Sequence, residues 1–540
     1  MAVETIPTEA IAGQKPGTSG LRAKTAVFRQ PGYLENFVQS VFDVIDAQGK
    51  TLVLGGDGRF FNREAIAIIL RMSAANGAAR VIVGRGGILS TPAVSAVIRA
   101  RGTDGGLILS ASHNPGGPEA DFGIKYNISN GGPAPERVTG AIHEATAKIS
   151  QYRIMSEEAP AIDTIGEVPL AGMAVEVIDP VETYAALMQT LFDFDAIRAL
   201  FASGFRMRFD AMHAVTGPYA RHLLEEALGA PMGSVVRAEP REDFGGLHPD
   251  PNPVHAHELM TLMLGPDAPD FGAASDGDGD RNMIVGRGCF VTPSDSLAIL
   301  AANAHLAPGY SKGLSGIAWS MPTSRAASRV AAALGVEGHE TPTGWKFFGS
   351  LLDADRVTLC GEESAGTGST HLREKDGLWA VLLWLNILAE RRLSVAEIMT
   401  DHWARFGRDY YMRHDYEGLE TSVAEALMAD LTARLPDLPG QSAGGLTVAE
   451  ADRFDYTDPV TGDVAMAQGL RIGFAEGARG VLRLSGTGTS GATLRVYLEA
   501  FETQRLDCDA AEILSPVAAA MDALAGTSAR TGRRRPDMIT

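Results

Sequence analysis

Cysteine is almost missing from this 540-residue sequence. Cys289, Cys360 and Cys508 are the only three, far apart and in no Cys-x-x-Cys pair. That excludes a disulfide framework and a cysteine-built zinc site, and it suits a reducing compartment. Basic charge is also short: 47 Lys and Arg stand against 66 Asp and Glu, a formal charge of −19. Such a surface repels nucleic acid and anionic membranes, so neither is expected as a partner. A phosphorylated partner must then meet locally placed cations. Long apolar runs are missing too, since no stretch reaches the roughly 18 residues of a spanning helix and residues 1–15 carry no signal-peptide core. A cytoplasmic protein is expected.

What is present is ordinary globular material, 45% hydrophobic and 21% charged, in a chain too long for one core. At about 150 residues each, three or four domains are expected. The stretch that organises the rest is residues 107–117, LILSASHNPGG. Three apolar residues are too few for a helix and Asn114-Pro115-Gly116 is a turn signature, so the pattern predicts a buried strand delivering Ser112 and His113 at its carboxyl end. Open α/β sheets put their ligands there. A plain surface turn is the alternative for this segment alone.

Around it, strands are expected at 51–54, 81–83 and 107–109, with helices at 62–76, capped by Asn62, and at 91–100. The order then recurs. Residues 206–210, 234–237 and 271–275 read as strands with a helix at 218–228; 316–320, 336–340 and 356–359 read as strands with a helix at 324–334. Three α/β units thus each end a strand in a polar loop, and the alternation implies mostly parallel sheets. A helical stretch at 378–399 follows, then an aromatic and charged segment at 406–416, a helix at 421–435 and alternating strands between 469 and 498. The expected fold is α/β, three topologically similar domains plus a C-terminal α+β domain around a central cleft. The divisions are 1–188, 189–295, 296–405 and 406–540.

Asp276-Gly-Asp278-Gly-Asp280 is the sharpest motif. Alternate carboxylates in a Gly-spaced loop converge hard oxygen ligands, and their repulsion is tolerable with a divalent cation between them. A calcium EF-hand is excluded because Arg281 stands where Gly is needed and Arg287 where an acid is needed. Mg²⁺ with a phosphate oxygen completing its shell is the expectation, with Arg281 clamping the anion. Gly486, Gly488 and Gly491 fit a dinucleotide pattern, but residues 492–498 alternate like a strand where that fingerprint must open a helix. A phosphate nest with Arg495 nearby, or a flexible hairpin loop, remains. Glu362, Ser364, Arg373 and Lys375 give residues 361–379 polar groups of both signs, suited to a sugar or to a charge-balanced surface loop. His255-x-His257 reads as a pair of ordinary helix-start residues, with metal binding as the alternative.

With these residues in view, the chain resembles the α-D-phosphohexomutases, and within them the phosphoglucomutase branch. The resemblance rests on residues 15–22, 110–127, 276–283, 341–348, 361–379, 483–495 and 531–533, in that order. It implies that Ser112 carries the phosphoryl group, that Asp276, Asp278, Asp280 and the Ser112 phosphate hold one Mg²⁺, and that Arg22, Arg281 and Lys375 neutralise phosphate charge. Glu362 and Ser364 would bind sugar hydroxyls, Thr343 the sugar region, and Ser485, Thr487 and Arg495 the non-reacting phosphate. Lys125 and His113 become candidates for general acid and base. The implied activity interconverts glucose 1-phosphate and glucose 6-phosphate, with glucose 1,6-bisphosphate as intermediate and activator, in a monomer or weak homodimer. A phosphomannomutase, a phosphoglucosamine mutase and a non-catalytic sugar-phosphate scaffold are the rival readings. The chain departs from the branch at Ala365, where an aromatic is usual, and at Ser275.

Overall fold

The chain is described here by a computed structural model covering all residues except Met1, residues 18–19 and residues 486–490. Its three repeats share one strand order. Side by side lie Asp121–Ile128, Gly105–Leu109, Thr51–Gly56 and Arg80–Ile88 in the first. In the second they are Asn282–Gly286, Phe271–Ser275, Met207–Asp210 and Val235–Val236, and in the third Thr367–Ser369, Leu359–Gly361, Gly316–Ser320 and Glu337–Thr341. In each set the last three pair in parallel and the first runs antiparallel to its neighbour. The loops 110–120, 276–281 and 362–366 are therefore one connection made three times, leaving the carboxyl end of a parallel strand and returning along an antiparallel one. That equivalence is what brings three different chemistries to one place.

Period-two alternation explains how the first sheet sits in the molecule. Leu52, Leu54, Val81, Val83, Leu107 and Leu109 face one core with the helices Tyr33–Ile45 and Asn62–Ala75. Val53, Ile82 and Ile108 face a second core that continues through the second and third repeats. Helix Gly377–Arg391, apolar almost all round, lies in this shared core, and Trp379 and Trp384 are fully buried there. At ~25 cal/mol per Å², each tryptophan contributes roughly 4–6 kcal/mol of burial. The first three domains are thus fastened together by a common interior.

Several expectations need correction. The sheets are mixed rather than mostly parallel, because antiparallel strands such as Asp121–Ile128 and Leu21–Lys24 flank the parallel ones. The stretch 378–399 is two helices, Gly377–Arg391 and Val395–Phe406, parted at left-handed Arg392 and restarted by a capping box of Ser394 and Glu397. The helix at 218–228 starts as Thr216–Ala220 and widens into a π-helix, Arg221–Ala227. The strand at 234–237 shrinks to Val235–Val236, and that at 356–359 shifts to Leu359–Gly361. Asn62 opens its helix instead of capping it, with Phe61 at the cap position.

The C-terminal domain is a seven-stranded antiparallel sheet in the order Ser442–Ala443, Leu446–Arg453, Leu470–Phe474, Ala478–Ser485, Ala492–Glu502, Arg408–Leu419 and Met538–Ile539. Helices Thr421–Arg434 and Ala510–Ala525 share its core. Gly491 precedes the strand Ala492–Glu502, so the dinucleotide reading falls. Among the described residues no helix is long and apolar enough to cross a membrane.

Helix Val395–Phe406, just before this domain, carries a pH-sensitive residue. Burial pushes the His402 imidazole down to about 4, so the folded state keeps it neutral while the unfolded chain takes up a proton below about 6.5. Its contribution is full above that value and is lost as pH falls toward 4, on the order of 3 kcal/mol. The midpoint of the first thermal transition is expected to drop over this window in the native protein and to drop less in His402→Gln.

Candidate active site

The site is built on the turn after strand Gly105–Leu109. Ser112 is a buried residue at φ +54°, a left-handed conformation that costs a non-glycine residue about 1–3 kcal/mol. Its backbone is held by a buried set of groups. Ser112 N donates to Ser110 Oγ (2.7 Å), which donates to Asp57 Oδ2 (2.6 Å). Arg59 Nη2 donates to Ser112 O (2.7 Å), its Nη1 to Asp121 O (2.9 Å), and its Nε to both oxygens of Asp57. Gly277 of the acidic loop also lies against Ser112 O, where a Cβ would come within 2.3 Å. The serine loop and the acidic loop therefore fit together only with glycine at that position.

Across this contact, Ser112 Oγ donates to Asp276 Oδ2 at 3.1 Å and lies 3.2 Å from His113 Nδ1. Asp276 Oδ1 accepts from the backbone N–H of Gly279, Asp280 and Arg281. Asp278 Oδ2 accepts from Thr91 Oγ1 (2.6 Å), and Lys375 Nζ stands 3.3 Å from Asp280 Oδ2. One oxygen from each aspartate lies within 4.8 Å of the others. Oδ1 of Asp278 and Oδ1 of Asp280 are buried with no hydrogen-bond partner among the described residues. Two orphaned carboxylate oxygens in an all-oxygen cluster fit a hard divalent cation. Electrostatics agree, for burial and then Asp280 and Asp278 push Asp276 well above the ordinary carboxyl range. Asp278 goes the other way because Lys125, Thr91 and Lys375 overcome its burial. Ser275, the departure noted in the sequence, donates from Oγ to Arg281 O (3.0 Å) and so braces the same loop.

Lys125 sits on strand Asp121–Ile128 with Nζ 3.4 Å from Glu374 Oε1 and 3.7 Å from Asp278 Oδ2. Burial disfavours its charge, but Glu374, Asp278 and Asp280 outweigh that and raise it above the ordinary lysine value. His113 is pushed well below the usual imidazole value by burial, then by Arg281 and Arg22. Arg22 is itself lowered by burial, whereas Asp250, Asp276 and Asp280 more than offset the burial of Arg281. Nε of both arginines and Oγ1 of Thr343 have no hydrogen-bond partner among the described residues. Burial raises Glu362, whose Oε1 accepts from Gly344 N (2.8 Å).

A cavity of about 200 Å³ collects residues from the first, third and fourth domains around the acidic loop of the second. Lys125, Arg281, Thr343, Glu362, Ser364, Lys375 and Arg495 all line it, together with Asp280 and Arg483. An adjoining cavity of about 190 Å³ shares Arg281, Ser364 and Arg495 and adds His113 and Ala365. Ala365 is left-handed at φ +70°, and its carbonyl accepts from Asn282 N (2.9 Å) and Nδ2 (3.1 Å), tying the sugar loop to the acidic loop. Ser485 ends strand Ala478–Ser485 and lines neither cavity; Thr487 lies outside the described residues. Arg22 and Ser112 are not on either cavity wall.

Sequence reading misses Asp57, Arg59, Thr91 and Glu374, though Arg59 bonds Ser112, Thr91 bonds Asp278, Glu374 pairs with Lys125, and Asp57 holds Arg59 and Ser110. Only the sequence GGDGRF around Asp57 hints at a built turn. Arg59→Ala leaves Asp57 buried and uncompensated, and is expected to cost about 3–5 kcal/mol in denaturant unfolding. Adding Asp57→Asn is expected to recover part of that stability without restoring the hold on Ser112 O.

Matches to known families cover nearly the whole chain. Models described as phosphoglucomutase/phosphomannomutase, alpha/beta/alpha domains I, II and III match residues 13–153, 182–288 and 293–406, and that of the phosphoglucomutase-1 C-terminal domain matches 408–537. The chain belongs to the phosphoglucomutase family. A phosphoglucomutase of Rhizobium radiobacter is 58% identical over 541 residues, covering 100% of both chains. Phosphoglucomutase-1 of Homo sapiens is 48% identical over 560 residues, also covering 100% of both. The crystal structure of the Paramecium phosphoglucomutase pp63/parafusin, in an open form, superposes with a TM-score of 0.93 at 46% identity and covers 100% of this chain and 99% of its own. The family's enzymes are isomerases, and the resemblance drawn from the motifs is borne out over the full length.

Proposed function

We propose that the chain interconverts α-D-glucose 1-phosphate and glucose 6-phosphate through phosphoserine 112 and a glucose 1,6-bisphosphate intermediate. The observation that carries this mechanism is the 3.1 Å contact of Ser112 Oγ with Asp276, in a loop whose other two aspartates keep unpartnered buried oxygens. Asp276, Asp278 and Asp280, with an oxygen of the Ser112 phosphate, would hold one Mg²⁺. When bound, the ion supplies Lewis-acid stabilisation of the phosphoryl oxygens.

In the first half-reaction the P–O bond to Ser112 Oγ breaks as a sugar hydroxyl oxygen bonds to phosphorus, and the hydroxyl proton passes to a base. His113, kept neutral, suits the base, and Lys125, kept charged, suits the acid. In the second half the bisphosphate presents its other phosphoryl group to Ser112, and the proton returns to the sugar oxygen. Arg22, Arg281 and Lys375 neutralise the phosphate in transit. Glu362 and Ser364 hold sugar hydroxyls, Thr343 the sugar region, and Ser485, Thr487 and Arg495 the phosphate that does not react. That Arg281, Thr343, Glu362, Ser364, Lys375 and Arg495 share one cavity supports these roles. The proposed setting is the cytoplasm, as a monomer or weak homodimer.

The test is conversion of glucose 1-phosphate with Mg²⁺ and a trace of glucose 1,6-bisphosphate, with mannose 1-phosphate alongside. Faster turnover of glucose 1-phosphate is expected. Preference for mannose 1-phosphate would overturn the sugar assignment, and binding of the bisphosphate without turnover would favour a scaffold.

A further inference from the structure

Besides the aspartate loop, the described residues bring together a second group of metal-ligand side chains: His248, Asp250 and His255. The sequence pattern reads His255 and His257 alike as helix-start residues. His257 does open the helix His257–Leu264. His255 turns back instead, and its ring lies 4.1 Å from that of His248, centroid to centroid, tilted by 40°. Asn252 shapes the turn between them, its Oδ1 accepting from N of Val254 (2.9 Å) and of His255 (3.0 Å). Asp250 stands beside both rings, and one ligand atom from each of the three residues lies within 4.8 Å of the others, all half-buried. Asp250 Oδ2 accepts from Asn252 Nδ2 (2.9 Å) and Oδ1 from Arg281 Nη1 (3.3 Å). Each carboxylate oxygen therefore keeps a lone pair for a further partner.

We propose that His248, Asp250 and His255 form a second metal site, for a first-row divalent ion of the Zn²⁺ or Co²⁺ type. Donor chemistry separates it from the aspartate loop. Two imidazoles and one carboxylate suit borderline ions, with solvent in the remaining positions, whereas three carboxylates suit Mg²⁺. The site adjoins the serine loop, since the His248 ring stacks on that of His113 at 6.2 Å and 5°. An ion there competes with Arg281 for Asp250 and holds the His248 ring against His113.

The experiment is titration of the full-length protein with Co²⁺ in saturating Mg²⁺, read by visible absorption. One equivalent of Co²⁺ is expected to bind with a visible band, to weaken at least tenfold in His255→Gln and in His255→Phe, which keeps a ring against His248, and to persist in Asp276→Asn. Turnover of glucose 1-phosphate with Mg²⁺ alone shows that the His255 variants are folded. Unchanged Co²⁺ affinity in a folded His255 variant would overturn the proposal. So would loss of all Co²⁺ binding in saturating Mg²⁺, which would leave the aspartate loop as the sole site.

Discussion

Ser112→Ala is expected to lower kcat/KM for glucose 1-phosphate by on the order of 10⁴-fold or more while leaving the fold intact. The proposed phosphoryl carrier is this one hydroxyl. The neighbouring hydroxyl of Ser110 is not free to stand in, because its Oγ is committed to Asp57 and to the Ser112 N–H. The turn should survive, since its restraints act on the backbone of residue 112, through Ser110 and Arg59, and not on its side chain. Intact mass after incubation with glucose 1,6-bisphosphate gives an independent reading: the native protein gains one phosphoryl group and the variant gains none. A variant that still turns over, or that still takes up the group, would move the carrier elsewhere.

Removing the cation is the second large effect. Stripping Mg²⁺ with a chelator is expected to reduce turnover by about 10³-fold, corresponding to the several kcal/mol that a Lewis-acidic ion contributes to phosphoryl transfer. A thermodynamic signature accompanies it. An ion that binds only the folded state at 100 times its dissociation constant adds about 2.7 kcal/mol of stability, so the unfolding midpoint should rise with Mg²⁺. Asp278→Asn should lose both responses, because it removes a carboxylate whose Oδ1 has no other hydrogen-bond partner among the described residues. If Asp278→Asn keeps the full Mg²⁺ stabilisation, the ion sits elsewhere.

The two effects meet at Gly277, which presses against Ser112 O while its neighbours carry the acids. Gly277→Ala would drive the loops apart, because its Cβ would lie 2.3 Å from a backbone oxygen that is already hydrogen-bonded to Arg59. The coupling also explains why each motif looks ambiguous by itself. A serine turn, an acidic turn and a charged loop are each common surface features. Their meaning comes from equivalent placement at the ends of three equivalent strands.

Those strands were legible because their signal is local. Short apolar runs closed by Gly, Pro and Asp mark Gly105–Leu109 and Phe271–Ser275, and both prove buried along their whole length. The antiparallel strand Asp121–Ile128 was not legible, since its polar residues Lys125 and Asn127 are chosen by the cleft and not by alternation. The break at Arg392 was hidden for a similar reason: an apolar helix ran straight into an amphipathic one without proline or glycine between them.

By itself, the sequence determined the α/β class, the order of the motifs, the family, and the residue types available for phosphate, metal and sugar. All of these depend on neighbours within a few positions, where spacing and turn chemistry act directly. Only the tertiary structure decided that Arg59 and Asp57 hold the Ser112 turn, that Glu374 pairs with Lys125, and that His255 faces His248 while His257 opens a helix. Arg59 is 53 residues from Ser112, and Glu374 is 247 from its hydrogen-bonded partner Asn127. Contacts at such separations are set by which sheet faces pack and which loops converge, and no local pattern of residues encodes that geometry.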